Sequence, residues 1–259
     1  MLLENKTILI TGSTTGIGEA IARRCVAEGA RVMIHGLEAD LAQAVQRDLG
    51  ADVCDAIVAD LSEVESCARI VQASVDRFGA LHGVVNNAAD VSRSNIDTTT
   101  PEFFDRIIAI NLRAPLFIIQ AAMPHFRAQG GGTVLNIGSI NALSGEPNLL
   151  AYSAAKGGLA TLTRNLANAH GTEQVRVNQI NPSWTATPNE IALKVREGLP
   201  EGWQHNVPPH LAPFGELFTP EQVANHAVFW LSDASAPASG VVFELAQFSP
   251  YGRNPHKDV

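Results

Sequence analysis

Cysteine is scarce in this 259-residue chain: Cys25, Cys54 and Cys67 are odd in number and lack metal-ligand spacing. Neither a disulfide framework nor a zinc site is expected, and each thiol sits in apolar context where a buried cysteine is ordinary. Positive charge is also scarce. Lys plus Arg total 18 against 26 Asp plus Glu, a formal net charge of −8, and no basic run occurs. Nucleic acid and anionic membrane surfaces are therefore poor partners. Long apolar runs are missing too, since none reaches the roughly 18 residues of a bilayer span, and the opening MLLENKTILITG has no Lys/Arg-led apolar stretch with a cleavage site. A soluble, cytoplasmic protein is the expectation. With 46% hydrophobic and 17% charged residues the chain can bury a sizeable core, and its length suits one domain spanning 1–259.

What is present is a regular alternation. Short runs rich in Val and Ile fall at Lys6–Thr11, Ala30–His35, Val53–Ala59, Gly83–Asn86, Gly132–Ile137, Val175–Ile180 and Gly240–Leu245. Between them lie segments of helical period at Gly16–Glu28, Glu38–Leu49, Val64–Phe78, Pro101–Ala128, Tyr152–Ala169 and Glu221–Leu231. Strands apolar on both faces, each followed by a helix, predict an α/β, Rossmann-like doubly wound sandwich with a seven-stranded parallel sheet flanked by helices. One long irregular, Pro-rich stretch at 188–220 reads as a substrate lid. Ser62 and Glu65 have the spacing of a capping box, which gives the neighbouring Asp60 a purely structural alternative as a helix starter.

Thr11-Gly12-Ser13-Thr14-Thr15-Gly16-Ile17-Gly18 joins the first strand to the first helix. Glycines there permit a tight turn and close approach of backbone to a pyrophosphate at the helix N-terminus. Asn86-Asn87-Ala88-Ala89 follows the fourth strand, Ser139 follows the fifth, and Tyr152-Ser153-Ala154-Ala155-Lys156 lies beyond it. Tyr152 and Lys156, four apart, share one helix face. A phenol of pKa near 10 is a poor base at neutral pH, and a nearby cation favours its phenolate.

These four elements, in this order and over essentially the whole chain, resemble the short-chain dehydrogenase/reductase family. The resemblance implies an NAD(P)-dependent oxidoreductase interconverting a secondary alcohol and a ketone. It implies Tyr152 as acid/base, Ser139 as hydrogen-bond donor to the same substrate oxygen, and Lys156 as the residue that lowers the Tyr152 pKa and holds the nicotinamide ribose. Asn111 matches the family's helix asparagine that positions a relay water. Gly12, Thr14, Gly16, Ile17 and Gly18 would line the pyrophosphate, Gly36 and Leu37 the adenosine ribose, Asp60 and Leu61 the adenine, and Asn87 and Ala88 the adenosine side. The family's Pro-Gly segment at the carboxamide appears as Pro182-Ser183, with Thr185 and Thr187 beyond, so Ser183 stands where Gly is usual. A homo-oligomer, with a tetramer favoured, is also implied, and no metal is required.

Gly36 occupies the position where NAD-dependent members carry Asp, and Leu37 the position where NADP-dependent ones often carry Arg. With Glu38 and Asp40 nearby and no cation for a third phosphate, NAD is expected ahead of NADP; a protonated His35 is the one objection. Asn141, Ser144, Glu146 and Asn148 on the approach to Tyr152, together with Trp203, His205, His210 and Phe214 of the lid, favour a polar substrate such as a sugar, polyol or hydroxy acid. Asp90, Ser92 and Arg93 could also reach a ligand. The alternatives are an NADPH-linked 3-oxoacyl-type reductase and a cofactor-sensing regulator without catalysis. Ala246-Gln247-Phe248 departs from the family's Asp-Gly-Gly, and the tail beyond it offers Tyr251 and Arg253 as possible contributors to a neighbouring subunit's site.

Overall fold

The computed structural model describes residues 1–251; Arg253 lies outside the described residues. Seven strands form one sheet: β1 Thr7–Ile10, β2 Arg31–Gly36, β3 Cys54–Val58, β4 Gly83–Asn86, β5 Gly132–Ile137, β6 Val175–Pro182 and β7 Val242–Leu245. All pairs are parallel, in the order β3-β2-β1-β4-β5-β6-β7. Each strand therefore needs a crossover, and the helices supply it: α1 Gly16–Ala27, α2 Ala39–Leu49, α3 Val64–Phe78, α4 Pro101–Ile108, α5 Ala114–Ala128, α6 Asn141–Ser144, α7 Leu150–His170, α8 Pro188–Arg196 and α9 Pro220–Leu231.

Side chains alternate across the sheet toward two buried layers, which explains why the strands are largely apolar. Ile8 and Ile10 point into the layer formed with α1 and α9, where Ile21, Val223 and Val228 are buried. Leu9 between them points to the opposite layer, where Ile70 of α3 and Ile118 and Phe126 of α5 are buried. Chain order reverses between β1 and β4, so a crevice opens at the carboxyl ends of these neighbours.

One expectation is refined and two are corrected. The segment from Pro101 to Ala128 is α4 and α5 joined by a π-turn at Ala109–Arg113. As one 28-residue helix it is long and apolar enough to cross a membrane by length and composition, although no apolar run of that length is visible in the sequence. Half of its most apolar window is buried in this fold, because a crossover helix packs on the sheet with one face and on other helices with another. Ser62 does not cap α3, whose first residue is Val64; Asp60 Oδ1 instead accepts from the Ser62 N–H at 2.8 Å, closing a local turn that ends before the helix. The stretch after Thr187 opens on a helix and is largely irregular only beyond Arg196. Pro188 occupies the first turn of α8, and the Thr187 hydroxyl caps it by accepting from the Glu190 N–H at 3.2 Å.

Candidate active site

The glycine turn is built from interior hydrogen bonds. Gly12 has φ +61°, and a Cβ there would stand 2.7 Å from Ala88 Cα; one on Gly18 would stand 2.2 Å from the Gly12 carbonyl oxygen. Only glycine satisfies both positions. Asn87 closes the far side, its Nδ2 donating to the carbonyls of Thr11 at 2.9 Å and Gly12 at 2.8 Å. The Thr11 hydroxyl accepts from the backbone N–H groups of Asn87 and Ala88, each at 3.0 Å. Thr11 thus welds the β1 turn to the β4 turn, a role that its place beside the first glycine could have signalled. The N-terminus of α1 opens on this turn, and Thr15 makes no side-chain cap, which leaves its amides available to an anion.

This cradle fits a dinucleotide. Gly16, at φ +59°, approaches Thr187, whose methyl would lie 3.4 Å from an added Cβ. Gly16 and Thr187 therefore line the two sides of one narrow gap. Gly36 ends β2 against Thr14, whose methyl would stand 2.5 Å from a Cβ at position 36, so Thr14 takes the space that an acidic side chain would need. Leu37 is 62% exposed beside it, and Leu61 is buried. Ile17 packs against the α1 layer of the core. Thr185 is buried and its hydroxyl donates to the Ser183 carbonyl at 2.9 Å. Pro182 is the last residue of β6, and Ser183 does not have the positive φ that would demand glycine.

Ser139, Tyr152 and Lys156 converge beside this cradle, and all three are buried. The Ser139 hydroxyl accepts from the Asn141 N–H at 3.1 Å and hydrogen-bonds the Tyr152 phenol. Lys156 Nζ donates to the Ile137 carbonyl at 2.8 Å and lies 5.5 Å from the centre of the Tyr152 ring. Burial pushes the Tyr152 phenol up to about 12, against the opposing pull of Ser139, and burial alone brings the Lys156 ammonium down to about 7. Desolvation is the largest influence at both groups.

Asn111 is fully buried within the π-turn. Its Nδ2 donates to the carbonyls of Asp90 and Ile107, both at 3.0 Å, and its Oδ1 is buried without a hydrogen-bond partner among the described residues. Two residues missed in the sequence complete the frame. Asn181 Oδ1 accepts from the Ser139 N–H at 3.1 Å, and Gln179 Nε2 donates to the same oxygen at 2.7 Å. Polar side chains in an otherwise apolar strand were the available signal.

Around the mouth the picture is mixed. Trp203 is buried and stacks on Trp184 at 5.0 Å, so it forms a small separate core with Val207, Ala212 and Leu217 and does not line the cleft. Asp90 is held by Arg106 and by the Ser92 N–H. Arg93 pairs with Glu197 at 2.8 Å, tying the loop after β4 to the segment after α8. Phe214 is 82% exposed, and Tyr251 donates to Glu244 Oε1 at 3.2 Å within the same chain.

Residues 12–245 match the family model described as enoyl-(acyl carrier protein) reductase. The chain belongs to the short-chain dehydrogenase/reductase family. It is 32% identical to 2-(S)-hydroxypropyl-CoM dehydrogenase 3 of Xanthobacter autotrophicus, covering 94% of this chain and 96% of that one. It is 35% identical to a probable galactose dehydrogenase of Rhizobium meliloti over 75% and 77% of the two chains. A 3-ketoacyl-(acyl-carrier-protein) reductase from Brucella melitensis, solved in complex with NADH, has TM-score 0.83 and 31% identity over 94% of this chain and 97% of that one. As a member, this short-chain dehydrogenase/reductase is an NAD(P)-dependent oxidoreductase acting on CH–OH groups.

Proposed function

We propose that the chain is one catalytic domain that interconverts a secondary alcohol and a ketone on a polar substrate, with NAD ahead of NADP. The convergence of Ser139, Tyr152 and Lys156 beside the glycine cradle carries this reading. Hydride exchange with the substrate carbon is the chemistry that a bound nicotinamide would supply. Tyr152 Oη exchanges the proton with the substrate oxygen, and a phenol held neutral at pH 7 is ready to act as donor to a ketone. Ser139 donates a hydrogen bond to the same oxygen, its own lone pair fixed by the Asn141 N–H. Lys156 holds the nicotinamide ribose and replenishes the proton, and Asn111 fixes the loop after β4 through the Asp90 carbonyl.

Gly12, Thr14, Gly16, Ile17 and Gly18 hold the pyrophosphate, Gly36 and Leu37 the adenosine ribose, Asp60, Leu61, Asn87 and Ala88 the adenine and adenosine side, and Pro182, Thr185 and Thr187 the carboxamide. The lean to NAD rests on the lack of Arg or Lys at 36 and 37. His35 removes its own objection, since it is buried with both ring nitrogens engaged and burial lowers its pKa. The polar substrate is supported by Asn141, Ser144, Glu146 and Asn148 and by the galactose dehydrogenase relative. The ketoacyl reductase neighbour favours the 3-oxoacyl alternative. Absorbance assays with NAD and NADP over sugars, polyols, hydroxy acids and acyl thioesters decide between them. Activity confined to acyl thioesters would overturn the polar reading.

The chain acts in the cytoplasm, where its three unpaired cysteines suit a reducing milieu. It works as a homo-oligomer, with a tetramer favoured. An apolar groove lined by Ile108, Leu112, Leu116 and Leu162 is the surface that supports association.

A further inference from the structure

His35 makes four hydrogen bonds, three of which fix the shape of the glycine turn. Its backbone N–H donates to the Ser13 hydroxyl at 3.0 Å, and its carbonyl accepts from the Ser13 N–H at 2.8 Å. The ring adds two more. Nδ1 accepts from the Gly12 N–H at 3.2 Å, and Nε2 lies 2.9 Å from the Ala59 carbonyl. A carbonyl cannot donate and an amide N–H cannot accept, so these two partners together require a neutral imidazole protonated on Nε2 alone. A second proton on Nδ1 would set N–H against N–H in a site that is 97% shielded from water, His35 being only 3% exposed.

Resting on the reading of this turn as the dinucleotide cradle, we propose that His35 is a positioning residue for the cofactor, whose protonation releases the Gly12 amide and weakens dinucleotide binding in acid. The groups that face it are the Gly12 amide and Ser13 hydroxyl beyond β1, and the Ala59 carbonyl and Asp60 carboxylate beyond β3. Asp60 is the one charge acting on the ring among the described residues, and it favours protonation; burial opposes it and prevails. The clamp is therefore closed at neutral pH and opens below the ordinary histidine range. No sequence motif marks this residue, because its effect runs through the turn and not through contact with the ligand.

The test is NADH binding, followed by fluorescence between about pH 8 and about pH 5, for the wild type, His35→Asn and His35→Phe. Asn places an amide oxygen where Nδ1 stands and does not titrate; Phe offers no acceptor. In the wild type Kd rises about tenfold toward acid, the worth of one buried hydrogen bond. His35→Asn stays flat over the same range, while His35→Phe is weak throughout. Equal acid weakening in wild type and His35→Asn, or tight binding by His35→Phe at the alkaline end, overturns the proposal. Imidazole 15N shifts in the unmodified protein provide a reading that does not depend on variants folding. The Nε2–H tautomer is expected, and an Nδ1–H tautomer overturns the clamp. Wild-type protein that binds neither NADH nor NADPH at about pH 8 would sink the cradle reading itself, whereas tight binding without pH dependence sinks only the role of His35.

Discussion

The glycine turn and the segment that follows β6 meet at Gly16 and Thr187, yet they are held by different forces. The turn is fixed by buried backbone: Gly12 and Gly18 leave no space for a Cβ, and Thr11, His35 and Asn87 bind its amides and carbonyls. The segment after β6 is held by the stacked Trp184 and Trp203 and by the partly exposed Arg93–Glu197 pair. A pyrophosphate is the same in every dinucleotide, so its cradle can be rigid. A substrate mouth needs side chains that can change, and such contacts are individually weak.

Substitutions separate the two regions by size of effect. Gly18→Val should be the most damaging: its side chain would collide with the Gly12 carbonyl, costing about 2–3 kcal/mol in urea denaturation and abolishing cofactor binding. Intact binding would break the comparison. Lys156→Met should lower turnover about 10²- to 10³-fold without loss of stability. The wild-type ammonium titrates at about 7 when folded against 10.5 in its ordinary state. Between those values the unfolded chain binds more protons, so wild-type stability rises with pH across that window and falls as pH drops toward 7. Thermal melts of Lys156→Met should lack that rise.

Leu37→Arg supplies the missing phosphate partner at an exposed position and should raise kcat/KM with NADP about tenfold, with activity on NAD little changed. No gain would show that the adenosine ribose lies elsewhere. Arg93→Ala should have the smallest effect, a stability change below about 1 kcal/mol with a few-fold rise in substrate KM. An altered cofactor Kd in that variant would contradict the separation of the two regions.

The sheet was legible because its central strands are buried on both faces and read as apolar runs such as Gly132–Ile137. The cradle was legible because glycine has few other reasons to recur just after such a run. Thr187-Pro188 with Glu190 carried a helix-start signal for α8 that the surrounding prolines obscured. The π-turn around Asn111 has no periodicity signature, since one extra residue per turn shifts the apolar stripe without breaking it. Burial was the harder quantity. Spacing places Tyr152 and Lys156 on one face, but only the fold shows that both are buried, so that desolvation is the largest influence on each.

The central claim is that Tyr152 carries the proton while the cradle independently holds the cofactor. Comparing Tyr152→Phe with wild type for NADH Kd and for single-turnover reduction of an active substrate tests it most directly. Unchanged Kd with turnover reduced about 10³-fold or more is the expected result; turnover within a few-fold of wild type would contradict the account.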